Sequence, residues 1–98
     1  MAYKLIWSPA ARDDLHDIVT FIARDNPNRA MSFGYELISE TDRLKDFPES
    51  GRVVPEYRSN NIREIVIRPY RIVYRVNHTQ EVSEIARIWH SARGVPQL

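Results

Sequence analysis

The chain reads as an α+β domain of element order β-α-α-β-β-β, a helical hairpin packed on one face of an antiparallel sheet. Three observations predict it. Two cap-proline dipeptides, Ser8-Pro9 and Asn26-Pro27, each open a stretch whose apolar residues recur with the 3.6-residue helical period. From Ile62 onward the apolar residues recur at every second position instead. Only two or three residues join the two helical stretches and only tight turns join the later strands, so these neighbours in sequence are expected to pack as antiparallel neighbours in space.

Each element has its own warrant. Tyr3 to Trp7 has strand composition, with Tyr3, Leu5 and Trp7 on one side and Lys4 and Ile6 on the other. Ser8 then serves as N-cap and Pro9 as first helical residue. Asp13 and Asp14 are read as complementing the helix dipole, and Ala11, Leu15, Ile18, Val19 and Ile22 form an apolar stripe to about Arg24. Asn26-Pro27 starts the second helix, with Ala30, Phe33, Leu37, Thr41 and Leu44 as its buried stripe and Ile38 and Phe47 flanking it. The run Asp46-Phe47-Pro48-Glu49-Ser50-Gly51 ends that helix, because proline cannot continue it. A polar connector, Arg52 to Asn61, leads to three strands at 62–68, 70–76 and 82–90. Tight turns at Pro69 and at His78-Thr79-Gln80 join them into an antiparallel meander.

Composition bounds the function classes. With 98 residues, 43% of them hydrophobic, the chain supports one domain, residues 1–98, with a single modest core. The absence of cysteine excludes a disulfide framework and thiolate metal sites. No apolar run reaches the ~20 residues of a membrane span, and the N-terminus does not read as a signal peptide. A cytoplasmic location with no membrane association is therefore expected. The net charge of +1 divides unevenly: residues 1–51 carry −3 and residues 52–98 carry +4, and twelve of the fourteen basic residues are arginine. Arginine is the cation suited to bidentate contact with carboxylate or phosphate.

Strand alternation places those arginines. Tyr70, Ile72, Tyr74 and Val76 share one face of the middle strand, which the helices are expected to cover, while Arg71, Val73 and Arg75 share the other. Arg87 or His90 joins that second face, according to register. A face that mixes arginine with apolar residues suits a partner; arginine stems covering exposed aliphatic groups is the alternative. No complete catalytic constellation is visible. His16, His78 and His90 are far apart and show no metal-ligand spacing, so neither metal nor cofactor is expected, and there is no glycine-rich phosphate loop or nucleophile elbow. His16 is expected on an exposed helix face and His78 in a turn. His90 beside Trp89, three residues before Arg93, has two readings: an acid–base group for RNA cleavage, or a strand-end histidine bonded to the backbone.

The opening YKLIWSPAARDDLHDIVTFIA resembles the first strand and helix of ParE-type toxins of the RelE/ParE superfamily. NIREIVIRPYRIVYRV followed by EIARIWHSAR resembles that family's C-terminal meander, so the resemblance spans about residues 3–93. It implies the toxin of a type II toxin–antitoxin pair, neutralised by a ParD-like antitoxin that contacts DNA, so that DNA is met only indirectly. Two activities occur in the superfamily. RelE-type members cut messenger RNA on the ribosome, and Arg71 matches an arginine that branch uses, with His90 as its possible acid–base partner. Yet Arg63-Glu64 stands where RelE-type toxins place lysines, a glutamate there repels the RNA backbone, and no tyrosine follows His90. ParE-type members lack the nuclease residues and are described as inhibitors of DNA gyrase that arrest replication. The WHSAR ending resembles their His-x-x-Arg close and assigns His90 and Arg93 to that toxicity motif. The resemblance thus implies a non-enzymatic gyrase poison, with a RelE-type endonuclease as alternative. Arg63, Arg71, Arg75 and Arg87 are the expected contacts for an acidic, apolar antitoxin segment.

Overall fold

A computed structural model describes residues 2–98. Its elements are β1 (Lys4–Trp7), α1 (Pro9–Ala23), α2 (Pro27–Asp42), β2 (Arg52–Val53), β3 (Ile62–Ile67), β4 (Tyr70–Asn77) and β5 (Val82–His90), with 3-10 turns at Arg43–Lys45 and Ser91–Arg93. They form two helices on a five-stranded sheet of order β1-β5-β4-β3-β2. The α+β class is the one expected from sequence, and the element order matches the expected β-α-α-β-β-β except for one added short strand, β2. The sheet is mixed, however, because β1 joins β5 in parallel while the other pairs are antiparallel. The connection between β1 and β5 is the whole helical hairpin and meander, long enough for a parallel return. The two-residue β2 lies inside the segment expected to be a connector.

Both caps form as their residue types dictate. The Ser8 hydroxyl accepts from the Ala11 N–H at 3.0 Å, and the Asn26 side chain accepts from the Arg29 N–H at 3.0 Å. Neither helix carries an acid in its first turn, so Asp13 and Asp14 do not act on the dipole. Asp14 works on the sheet instead. β1 covers β5 only as far as Ile85, and the start of α1 takes over that edge. Ser8 N–H bonds the Ile85 carbonyl at 2.9 Å, its hydroxyl donates to the Ala86 carbonyl at 2.8 Å, and the Asp14 carboxylate accepts from the Ile88 N–H at 2.9 Å. An edge strand that would otherwise offer free pairing groups is thereby closed.

The helices cover the Tyr70–Val76 face as expected. Ala11, Ile18, Phe33, Leu37 and Leu44 pack against Ile65, Ile72, Tyr74, Val76, Ile85 and Ile88, with Tyr3, Leu5 and Trp7 at the margin. Each fully buried aliphatic or aromatic side chain there contributes roughly 1.5–3 kcal/mol. Ile38 and Phe47, expected to flank the α2 stripe, stand in solvent instead. The helices approach closely at Gly34, where an added Cβ would sit 3.1 Å from a Val19 methyl.

One irregularity sets the site. β5 pairs Val73 with Arg87 but Tyr74 with Ile85, so Ala86 is an extra residue. Simple alternation would put Ser83, Ile85, Arg87 and Trp89 on one face. The bulge breaks that set: Ser83 and Ile85 face the helices, as do Ile88 and His90, whereas Arg87 and Trp89 turn to the opposite face beside Val73 and Arg71.

Candidate functional site

The face the helices leave uncovered is partly covered by the chain itself. Val54, Val73 and Trp89 form a second small core with Ile62 against them. The C-terminal tail folds back over it. Trp89 Nε1 donates to the Gly94 carbonyl at 3.2 Å, the Arg87 guanidinium donates to the Gln97 carbonyl at 3.1 Å, the Tyr57 hydroxyl donates to the Pro96 carbonyl, and Pro96 is buried. Arg93 lies with its guanidinium carbon 3.8 Å from the Trp89 ring centre, and Arg87 lies at 5.0 Å. An arginine-bearing surface awaiting a partner is therefore only part of the picture. Much of its polar surface already has intramolecular partners.

Arg71 shows this most clearly. It is 8% exposed and projects from β4 between two carboxylates. Its Nε donates to Glu64, and its two terminal nitrogens make a fork to Glu56 at 3.0 and 2.8 Å. Glu64 is fully buried in turn, and its second oxygen accepts from Arg52 Nε at 2.6 Å. Every charge in this buried chain is compensated, which such burial requires. The Glu56 fork, joined by Glu64, holds the Arg71 pKa above its ordinary value. The Arg71 hydrogen bonds hold the Glu56 carboxyl below its own ordinary value of 4.5. The sign follows from linkage: a carboxyl depressed on folding adds stability above its unfolded pKa and loses it as the pH falls through the lowered folded value. Urea midpoints of the wild type and Glu56→Gln are therefore expected to differ at neutral pH and to converge as the pH drops below 4.5.

The other arginines expected at a partner contact are distributed differently. Arg75 is on the uncovered face, with its side chain 44% exposed and paired to Glu84 at 3.1 Å. Arg87 is also there and makes a fork to Asp14 at 2.8 and 2.9 Å, which raises its pKa. Arg63 is not on that face. It pairs across the ladder with Tyr74 and so points to the helix side. There it donates to the Glu49 carboxylate and to the carbonyls of Glu49, Gly51 and Asn60, tying down the connection before β2.

His90, left open between the two faces by sequence, lies on the helix side opposite Tyr70, with ring centres 5.2 Å apart and edge-to-face. Its Nδ1 accepts from the Ala92 N–H at 3.1 Å, which makes it a strand-end histidine bonded to backbone. With Asp17, Phe21, Tyr70 and Arg93 it lines a shallow hollow of about 310 Å³. Burial raises the Tyr70 pKa. His16 is exposed on α1, and His78 is in its turn, where its Nδ1 meets the Tyr3 hydroxyl at 2.6 Å.

Arg71 and His90 are therefore not brought together. Arg71 is cross-strand neighbour to Trp89, and His90 to Tyr70, so the sheet lies between them. Residues missed by sequence reasoning are Asp14, Glu56 and Glu64 as partners of the arginines. Their pairings span 73, 15 and 7 positions respectively, and no local periodicity encodes them. The one available signal was Glu64 itself, an acid at a buried strand position.

Comparison with known proteins agrees with this fold. Residues 5–95 match the family described as ParE toxin of type II toxin-antitoxin system, parDE. The chain is 32% identical over 91 residues to Toxin RelE2 of Caulobacter vibrioides, covering 92% of this chain and 97% of that protein. Among solved structures it resembles one from the chromosomal ParDE system of P. aeruginosa, with TM-score 0.75, 20% identity and 91% and 96% of the two chains covered. It also resembles a chain of the RelBE2 toxin–antitoxin complex of Mycobacterium tuberculosis, with TM-score 0.61, 20% identity and coverage of 92% and 99%. With the family match running through nearly every element described above, the chain belongs to the ParE toxins of type II toxin–antitoxin systems, within the ParE/RelE superfamily.

Proposed function

We propose that this toxin acts by binding rather than by cleaving RNA, that DNA gyrase is its target in the cytoplasm, and that a ParD-like antitoxin neutralises it by direct contact. The observation that carries the reading is the separation of Arg71 from His90 by the sheet. General acid–base cleavage needs the proton-transferring group and the phosphate-holding cation at the same reacting atoms, within hydrogen-bond reach. Here they face opposite ways, and the Arg71 guanidinium is already committed to Glu56 and Glu64. A ribonuclease built on this pair lacks its geometry.

The motif His90 and Arg93 remains the candidate for target contact. Both line the hollow beside the exposed Phe21. Toward the antitoxin, Arg75 is the most accessible of the expected arginines. Contact through Arg71 or Arg87 requires antitoxin carboxylates to share or displace Glu56 or Asp14, and Arg63 meets a partner only on the helix side. Purified toxin in molar excess is expected to inhibit gyrase supercoiling of relaxed plasmid, and addition of antitoxin to restore it. Supercoiling untouched at saturating toxin would remove gyrase as the target.

A further inference from the structure

α2 is apolar on two sides. Its inner stripe, Ala30, Phe33, Leu37 and Thr41, is buried. Met31, Tyr35 and Ile38 form a second stripe, and they are 63%, 68% and 42% exposed. A helix at the surface of one domain needs a single apolar face with polar residues opposite, so the second stripe is surplus to the fold. Its spacing is specific. Asn28, Met31, Tyr35, Ile38 and Asp42 follow one another at intervals of three, four, three and four, the repeat that keeps a seam of side chains facing another helix. Polar residues close the seam at both ends, and the exposed Ser32 and Ser39 flank it with small side chains that permit close approach.

A second copy of the same helix matches this seam. With one copy reversed and its Met31 level with Tyr35 of the other, two-fold symmetry makes that contact twice, each time a thioether on an aromatic ring. Each Ile38 then comes level with Asn28 of the other copy at the margin. Charge selects this direction. In the reversed pair each Asp42 comes level with the N-terminal end of the other copy's α2, where the helix dipole favours a carboxylate, and the two dipoles oppose. Parallel copies would set Asp42 against Asp42 and align the dipoles. A reversed pair in the next register would bury Asp42 against Met31. The seam holds no cation for an acidic segment, and Arg29 and Glu36, next around the helix, already pair at 4.0 Å.

We propose that the outer face of α2, along Met31, Tyr35 and Ile38, is a self-association surface on which a second copy of this chain docks antiparallel about a two-fold axis. Such pairing requires neither gyrase nor antitoxin, and it leaves the uncovered face of the sheet free. A helix of 16 residues is about 24 Å long, so the pair buries less than the ~1,200 Å² of a standard interface. Association is accordingly expected to be reversible and to depend on concentration.

The test uses the full chain alone. Sedimentation velocity is expected to show a dimer that grows with concentration across the micromolar range and disperses on dilution. Tyr35→Glu is expected to weaken association roughly tenfold or more, with circular dichroism and Tm retained because the side chain is exposed. The chain has no cysteine, so single introduced thiols report the arrangement. Under mild oxidation a mixture of Met31→Cys and Tyr35→Cys is expected to cross-link into a dimer of the two, whereas Asp42→Cys alone stays monomeric. Should Tyr35→Glu fail to fold, the cross-links decide. A monomer at every concentration, or a dimer undiminished by Tyr35→Glu, overturns the proposal. Cross-linking of Asp42→Cys to itself, with none in the mixture, shows a parallel pair and overturns the antiparallel docking. A monomeric toxin whose Tyr35→Glu variant loses antitoxin affinity gives the face to the antitoxin and overturns the second copy.

Discussion

Glu64→Leu is expected to destabilise the domain by about 3–5 kcal/mol. Glu64 is fully buried and accepts from both Arg71 and Arg52. Its removal leaves Arg71, itself 10% exposed at the side chain, with Glu56 as its one remaining counter-charge. Losing one member of a buried ion chain costs more than the net worth of the pair, because the partner stays desolvated. The shift corresponds to a fall in Tm of roughly 10 °C or more for a domain of this size. Glu64→Gln keeps the shape and an acceptor, and is expected to lose less. Arg75→Ala breaks an exposed pair and is expected to cost under about 1 kcal/mol. Denaturant unfolding of the three variants gives the ranking directly.

Trp89→Ala is the second large effect, about 3–5 kcal/mol for deleting a buried indole. Trp89 is 2% exposed, packs on Val54 and Val73, carries Arg93 and Arg87 near its ring, and holds Gly94 through Nε1. The variant therefore also loosens the tail. Backbone order parameters at Val95 to Leu98 are expected to fall, together with those of the Tyr57 loop that bonds Pro96. Trp89→Phe retains most of the packing and loses the hydrogen bond to Gly94, a loss of about 1 kcal/mol. A tail equally ordered in both variants would show that Arg87 and Tyr57 hold it alone.

The parts of the fold that were legible in the sequence are those governed by local chemistry. Ser8-Pro9 and Asn26-Pro27 cap helices because their side chains reach N–H groups three residues on, and the buried stripes Ala11–Ile18 and Ala30–Leu44 follow from a period that needs no tertiary information. The three meander strands were legible for the same reason. The parallel docking of β1 was not, since it joins residues nearly 80 positions apart. Nor was the bulge at Ala86, a single extra residue that leaves no mark on composition yet moves Arg87 and His90 to faces that simple alternation does not give.

The site was legible as a set of residue types and not as an arrangement. The arginines are where the later strands put them, but their partners Glu56, Glu64 and Asp14 were chosen by register and loop path. Arg63 shows the limit most sharply. It stands one position from Glu64 in sequence and on the opposite side of the sheet in space, bonded to Glu49 and Gly51. A count of arginines thus identified a charged region and overstated how much of that charge is available to a partner.

The proposed binding mode rests on Arg71 and His90 lying on opposite faces of the sheet, apart from one another as an acid–base and phosphate-holding pair. Mapping of message 5′ ends in translating cells after toxin induction tests it most directly. Full-length messages without new cuts are expected, in the wild type and in His90→Ala alike. Cleavage within translated codons by the wild type, abolished in both His90→Ala and a folded Arg71→Lys, would contradict it.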